Sequence, residues 1–132
     1  MERTLFIVKP DAVSRGLTGE ILRRFEAKGF AVEQLKMFRF DREQAETFYG
    51  VHRDRPFFGE LVSFITSGPV VACILRGNNA VATTRIMVGA TKSFEAAPGT
   101  IRGDLGLGFT DNIIHASDSA ESYAHESGVV FP

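Results

Sequence analysis

The stretch "PVVACIL", Pro69-Val70-Val71-Ala72-Cys73-Ile74-Leu75, carries no charge and is dominated by β-branched and aliphatic side chains. It reads as a central strand. Before it, Phe58, Leu61, Val62 and Ile65 mark one face of a helix that Gly68-Pro69 terminates. Asp41, with Gln44 three residues on, resembles a capping box and predicts another helix through Phe48 and Tyr49. Phe30 to Phe40 is β-rich, and its alternation breaks around Gln34, where a bulge is expected. Gly19 to Lys28 places Ile21, Leu22 and Phe25 on one helical face, and Gly29 is set to end it. Thr4 to Val8 is a short buried strand stopped by Pro10. After the central strand, Asn78 to Val88 reads as helix, Asn112 to Ala116 as a short strand, and Asp118 with Glu121 as the start of a last helix to about Glu126. Four strands, with two helices between the second and third, predict an α+β sandwich of helices on a mostly antiparallel sheet.

The chain has 132 residues, of which 44% are hydrophobic, so one domain over residues 1–132 with a core of its own is expected. Fifteen Lys and Arg against sixteen Asp and Glu leave a net charge of -1, which argues against a nucleic-acid module and against docking on an anionic membrane. Cys73 stands alone, so no internal disulfide forms, and its apolar neighbours suit a small buried hydrophobe. Leu5 to Val8 is too short for a signal-peptide core and no window reaches the length of a membrane span, so the expectation is a cytoplasmic protein. Without clustered His or Cys, a structural zinc site is not expected. The phosphate-binding Gly-rich motif ending in Lys-Ser/Thr is absent, and "GDLGLG" does not fit a dinucleotide fingerprint.

Gly89 to Asp111 is rich in glycine and shows little periodicity. So long a loop in a compact domain points to function. Basic residues cluster near such turns. Lys9 follows the first strand in "VKPDAV", Arg85 sits on the Asn78–Val88 helix, and Arg102 lies between Gly99 and Gly103. Each alone suits a solvated charge, whereas two guanidinium forks and an ammonium at one place would suit a polyphosphate. His115 ends the apolar pair Ile113-Ile114, with His52 and His125 as competitors for any catalytic role. An unperturbed imidazole, with a pKa of about 6.5, is roughly three quarters neutral at pH 7, as a nucleophile requires. Neighbouring cations would raise that fraction, and a carboxylate such as Glu126 would lower it while orienting the ring.

Taken together, "TLFIVKPDAV", "YGVHRDRPFF", "GPVV", "GNNAVATTRIMVGAT", "APGTIRGD" and "NIIHASDSAES" resemble the nucleoside diphosphate kinase family, in its order and over residues 4 to about 126. The resemblance implies a ferredoxin-like α/β sandwich and a two-step transfer of a γ-phosphate from a nucleoside triphosphate to a nucleoside diphosphate through phosphohistidine. It assigns the nucleophile to His115. Lys9, Arg85, Thr91 and Arg102 would hold phosphates, Phe57 would stack on the base and Asn112 would bond the ribose. Tyr49 would help fix Lys9, and Glu126 with Ser117 would orient the imidazole. Mg2+ would bridge the nucleotide phosphates, and a homo-oligomer (hexamer, tetramer or dimer) is implied. Three positions depart from the family pattern. Lys92-Ser93 stands where a proline follows the threonine by two, Ala116 replaces a glycine, and Asp111 stands where a basic or neutral residue is commoner.

Overall fold

The computed structural model describes residues Met1–Pro132. Strand β1 (Glu2–Val8) leads into a five-residue helix α1 (Pro10–Ser14) and then α2 (Thr18–Lys28). Gly29 caps α2 at φ 116°, a left-handed conformation that a Cβ disfavours. Strand β2 (Ala31–Phe38) follows, then α3 (Arg42–Phe48), α4 (Phe58–Ile65) and β3 (Val70–Gly77). The chain ends with α5 (Ala80–Val88), α6 (Ile101–Leu105), β4 (Ile114–Ala116) and α7 (Ala120–Val130). The strands form one sheet in the order β2-β3-β1-β4, with every neighbouring pair antiparallel. This is the ferredoxin-like sandwich, and "PVVACIL" lies inside it as expected, between β2 and β1. The register of β2 against β3 shifts between Val32 and Gln34, where the alternation breaks in the sequence.

Both faces of the sheet are covered, so the inner strands are apolar on both sides and "PVVACIL" has no polar alternation. On one face Phe6, Val8, Val71, Cys73 and Leu75 pack with Ile21 and Phe25 of α2 and Ala80 and Val88 of α5. Phe6 and Phe25 stack at 4.7 Å between ring centroids. On the other face Leu5, Ile7, Val70, Ala72 and Ile74 meet Phe48 of α3, Val62 and Ile65 of α4 and Val130 of α7. Register pairs Ile7 with His115, which puts the imidazole on this second face, under α3 and α7. No helix is long and apolar enough to cross a membrane.

Three expectations need correction. β4 begins at Ile114, because Ile113 takes φ +78° and leaves the strand conformation. The cap of α7 is Ser119, whose hydroxyl accepts the Ser122 N–H at 3.0 Å, and the helix runs on to Val130 to bury that side chain. The long loop also holds a helical turn at Ser93–Glu95 and the short α6, each too brief to show a period. The capping box before α3 is half formed. Asp41 accepts the Gln44 N–H at 2.7 Å, while the Gln44 amide reaches the Val129 carbonyl at 3.3 Å. Asp41→Ala should therefore lower the unfolding free energy by about 1 kcal/mol, and Asp41→Asn by far less, in urea titrations followed by circular dichroism.

Candidate active site

Lys9 leaves β1 with extended backbone, which Pro10 then converts into α1. Lys9 is 5% exposed, and its ammonium donates to Asn112 Oδ1 at 2.7 Å and to the Thr110 carbonyl at 3.2 Å. Burial, seconded by Arg102, pulls the Lys9 pKa down to about 8. Two residues on, Asp11 accepts the N–H of Ile113 at 3.1 Å, and the Lys9 N–H donates to the Ile113 carbonyl at 2.9 Å. A β-branched residue at positive φ is strained, by about 1–3 kcal/mol. Ile113 is held there by those two bonds and by a side chain buried in the core. The turn aims β4 so that His115 faces α3 and α7 while Ile114 and Ala116 enter the opposite layer.

His115 Nε2 lies 2.9 Å from Glu126 Oε1, and the same oxygen accepts the Ser117 hydroxyl at 2.6 Å. An ionised carboxylate only accepts, so Nε2 carries the proton and the Nδ1 lone pair of a neutral ring is left free. Phe48 stands edge-on to the ring at 5.1 Å and Tyr49 at 6.3 Å, fixing its plane from the α3 side.

Arg102 comes from α6, whose first turn is capped by Thr100 accepting the Gly103 N–H at 2.9 Å. Arg102 is 4% exposed, and its guanidinium donates to the carbonyls of Asn112 at 3.1 Å, Gly89 at 3.2 Å and Ile114 at 2.6 Å. Burial, with Arg85 as the next cause, pulls its pKa down to about 10, so it stays charged at neutral pH. Arg85 reaches the Ala116 carbonyl at 3.1 Å from α5, and Asn112 Nδ2 donates to the Thr91 carbonyl at 2.9 Å. Lys9, Arg85 and Arg102 thus stand around one short piece of chain, residues 112–116.

These side chains line a cleft of about 540 Å³. Of the residues expected at the site, Lys9, Tyr49, Phe57, Arg85, Thr91, Arg102, Asn112, His115 and Glu126 all reach it, and Ser117 lies buried behind Glu126. One expected contact is missing. Tyr49 makes no hydrogen bond to Lys9, whose ammonium turns to Asn112 and Thr110, and the tyrosine ring packs on His115 instead. Burial, with the Glu126 charge as the next cause, raises the Tyr49 phenol well above its ordinary pKa, so it stays protonated. His52 also lines the cleft, 5.5 Å from the Phe57 ring. His125 is bonded through Nε2 to the Thr47 carbonyl at 2.9 Å. Asp11, Phe48, Phe109 and Thr110 escaped the sequence reading. A carboxylate after a proline and an aromatic on a helix face carry no signal of their own.

The three departures have visible roles or none. Ala116 has ordinary strand backbone, so no glycine is needed. The Ser93 N–H, which a proline would lack, donates to the Gly108 carbonyl at 3.1 Å. The Asp111 carboxylate lies where a Cβ on residue 108 would be, so glycine at 108 lets the turn close.

No group of three or more His, Cys, Asp or Glu side chains is placed to hold a metal ion. The cleft instead gathers cations from β1, α5 and α6 around an oriented imidazole, a set suited to polyphosphate chemistry. The profile of the nucleoside diphosphate kinase family matches residues 2–132. The chain is 59% identical to a nucleoside diphosphate kinase of Picrophilus torridus over 99% of its own length and 95% of the relative's. The solved structure of the Aquifex aeolicus nucleoside diphosphate kinase superposes with a TM-score of 0.96 at 51% identity, covering 99% of this chain and 95% of that one. That of the Halobacterium salinarum enzyme in complex with CDP gives 0.94 at 47% identity, covering 97% and 86%. On fold and sequence alike, the chain belongs to the nucleoside diphosphate kinase family.

Proposed function

We propose that residues 1–132, acting as one domain, transfer the γ-phosphate of a nucleoside triphosphate, typically ATP, to a nucleoside diphosphate through His115, and so maintain nucleotide pools. The observation that carries this reading is the Nε2–Glu126 hydrogen bond at 2.9 Å, which leaves Nδ1 unprotonated in the cleft that Lys9, Arg85 and Arg102 line. In the first half-reaction Nδ1 attacks the γ-phosphorus, an N–P bond forms, and the bond to the β-phosphate oxygen breaks, releasing the diphosphate. In the second, a terminal oxygen of another nucleoside diphosphate attacks the same phosphorus and the N–P bond breaks. One cleft serves both substrates in turn, so the kinetics are ping-pong.

Phosphoryl transfer asks mainly for positioning and charge stabilisation. Lys9 and Arg85 supply charge beside the imidazole. Arg102 has three of its five donors on carbonyls and two left for phosphate oxygens, with the Thr91 hydroxyl beside them. Phe57, 36% exposed, offers a ring for any base, and Asn112 a polar end for the ribose. Glu126, Ser117 and Tyr49 position the imidazole. Mg2+ fits as an ion carried in by the nucleotide, since the side chains grouped around the phosphate path are cationic; bound to phosphate oxygens it would neutralise their charge. A homo-oligomer, whether tetramer, hexamer or dimer, is part of the same proposal. It is supported by edge strand β2, which leaves Leu35 and Met37 48% and 61% exposed. A cytoplasmic setting belongs to it too.

Incubation with ATP labelled at the γ-phosphate should give an acid-labile, alkali-stable label that GDP or CDP discharges. His115→Ala should take up none; a fully active His115→Ala would sink the assignment. Lys9 supplies a pH test. Its folded pKa, about 8, lies below that of an unfolded lysine, so the free protein loses this charge as pH rises through 8 while the unfolded chain keeps it to about 10.4. kcat/KM should fall above pH 8, and Lys9→Arg should move that limb upward by more than a unit. By the same sign, the destabilisation from burying this ammonium is full below pH 8 and is relieved as pH rises from there toward 10.4.

A further inference from the structure

The two walls of the cleft are built differently. One is the floor of β1, β4 and α6, tied together by Arg102 and Lys9. The other is the hairpin of α3 and α4, which brings Phe57 and Leu61 to the mouth. Facing them is the turn 108–111, which brings Phe109 and Thr110 to the same mouth. Phe57 is 36% exposed and Phe109 48%, so the mouth has an aromatic ring on either side. A single hydrogen bond joins α4 to the turn across this mouth: the Thr110 hydroxyl donates to Glu60 Oε1 at 2.7 Å, between residues fifty apart in sequence. Every other hydrogen bond made by α4 is to its own or adjoining residues.

The turn itself is well held on its inner side. The Ser93 N–H takes the Gly108 carbonyl, and the Lys9 ammonium takes the Thr110 carbonyl. Its position relative to α4 has only the Glu60 contact. We infer that Glu60 and Thr110 are a positioning pair, a clasp that keeps the Phe57 and Phe109 walls at nucleotide-binding separation before the nucleotide arrives. This rests on the proposed nucleotide site and adds residues to it. Neither side chain touches the transferring phosphoryl group. The clasp acts through the fraction of molecules whose cleft is formed, and apparent affinity falls in proportion to that fraction. Breaking this exposed bond to a carboxylate should lower the ratio of formed to open clefts to about a third to a tenth, and the formed fraction follows that ratio once open clefts predominate.

The test is a double-mutant cycle on the full chain, read by calorimetric titration with ADP and by steady-state kinetics. Glu60→Ala and Thr110→Val should each raise the Kd for ADP and the KM for nucleoside diphosphate about three- to tenfold, with kcat within about twofold. The double variant should be no worse than either single, because both remove one bond. Glu60→Gln and Thr110→Ser, which keep an acceptor and a hydroxyl, should bind like wild type. Unchanged Kd and KM in Glu60→Ala, additive effects in the double variant, or equal losses in kcat and affinity with a lowered melting temperature would each overturn the clasp. If wild type itself bound no ADP, the nucleotide reading would fail first; normal binding by wild type and by all variants would remove the clasp alone.

Discussion

A buried guanidinium holds this site together. Arg102 takes the carbonyls of Gly89, Asn112 and Ile114, which are the beginning of the long loop, its end, and the first residue of β4. Burying a charge is unfavourable unless donors and acceptors match, and three charge-assisted bonds to main-chain carbonyls supply that match without a carboxylate. A carboxylate partner would cancel the charge; carbonyl dipoles leave it intact. The loop is thereby closed by a residue within it, and the closing group is one that lines the cleft.

The same economy runs through the neighbouring groups. Lys9 is steadied by an amide oxygen and a carbonyl, and Arg85 by a carbonyl. None of the three cations forms an ion pair, although the surface holds several, such as Arg24 with Glu20 and Asp104. Unpaired cations at close quarters depress one another, which is the second cause of the low pKa of both Lys9 and Arg102. Stability is given up for an anion-seeking site, and Ile113 at φ +78° adds to the same deficit. The carboxylate at the His115 ring, Glu126, forms no ion pair with these cations; its Oε1 accepts from the Ser117 hydroxyl and meets Nε2.

The sheet was legible because its signals are local. A β-branched run without charge, a break in alternation at Gln34 and an Asp41 cap each report on residues within a few positions. The site was legible only as residue types beside turns, until the joint pattern of motifs assigned them together. What holds them was not. Arg102 and Lys9 bind main-chain carbonyls, and every residue has a carbonyl, so no letter in the sequence marks the partner. Ile113 reads as ordinary strand because a β-branched residue is poorly suited to positive φ; bonds to Asp11 and Lys9, both from a distant part of the chain, and a buried side chain hold it there. The expected Tyr49–Lys9 contact failed for a related reason. Asn112 Oδ1 and the Thr110 carbonyl take the ammonium instead, which gives Asn112 a structural role toward Lys9.

Position 93 shows how the loop keeps its shape without the proline of the family pattern. Proline would stiffen the chain by narrowing the unfolded ensemble, whatever the rest of the loop did. Ser93 acts in the folded state instead, through an N–H that proline lacks, and ties Gly108 across the loop. Asn112 to Thr91 and Arg102 to Gly89 complete a ladder of such ties at the inner end. Rigidity of this kind is graded. The innermost Arg102 bonds, to Asn112 and Ile114, are buried and charge-assisted, those to Gly89 and from Asn112 to Thr91 are partly buried, and the outermost contact, Thr110 to Glu60, is exposed. Local opening begins where burial is least, and along this loop burial is least at the Thr110–Glu60 contact.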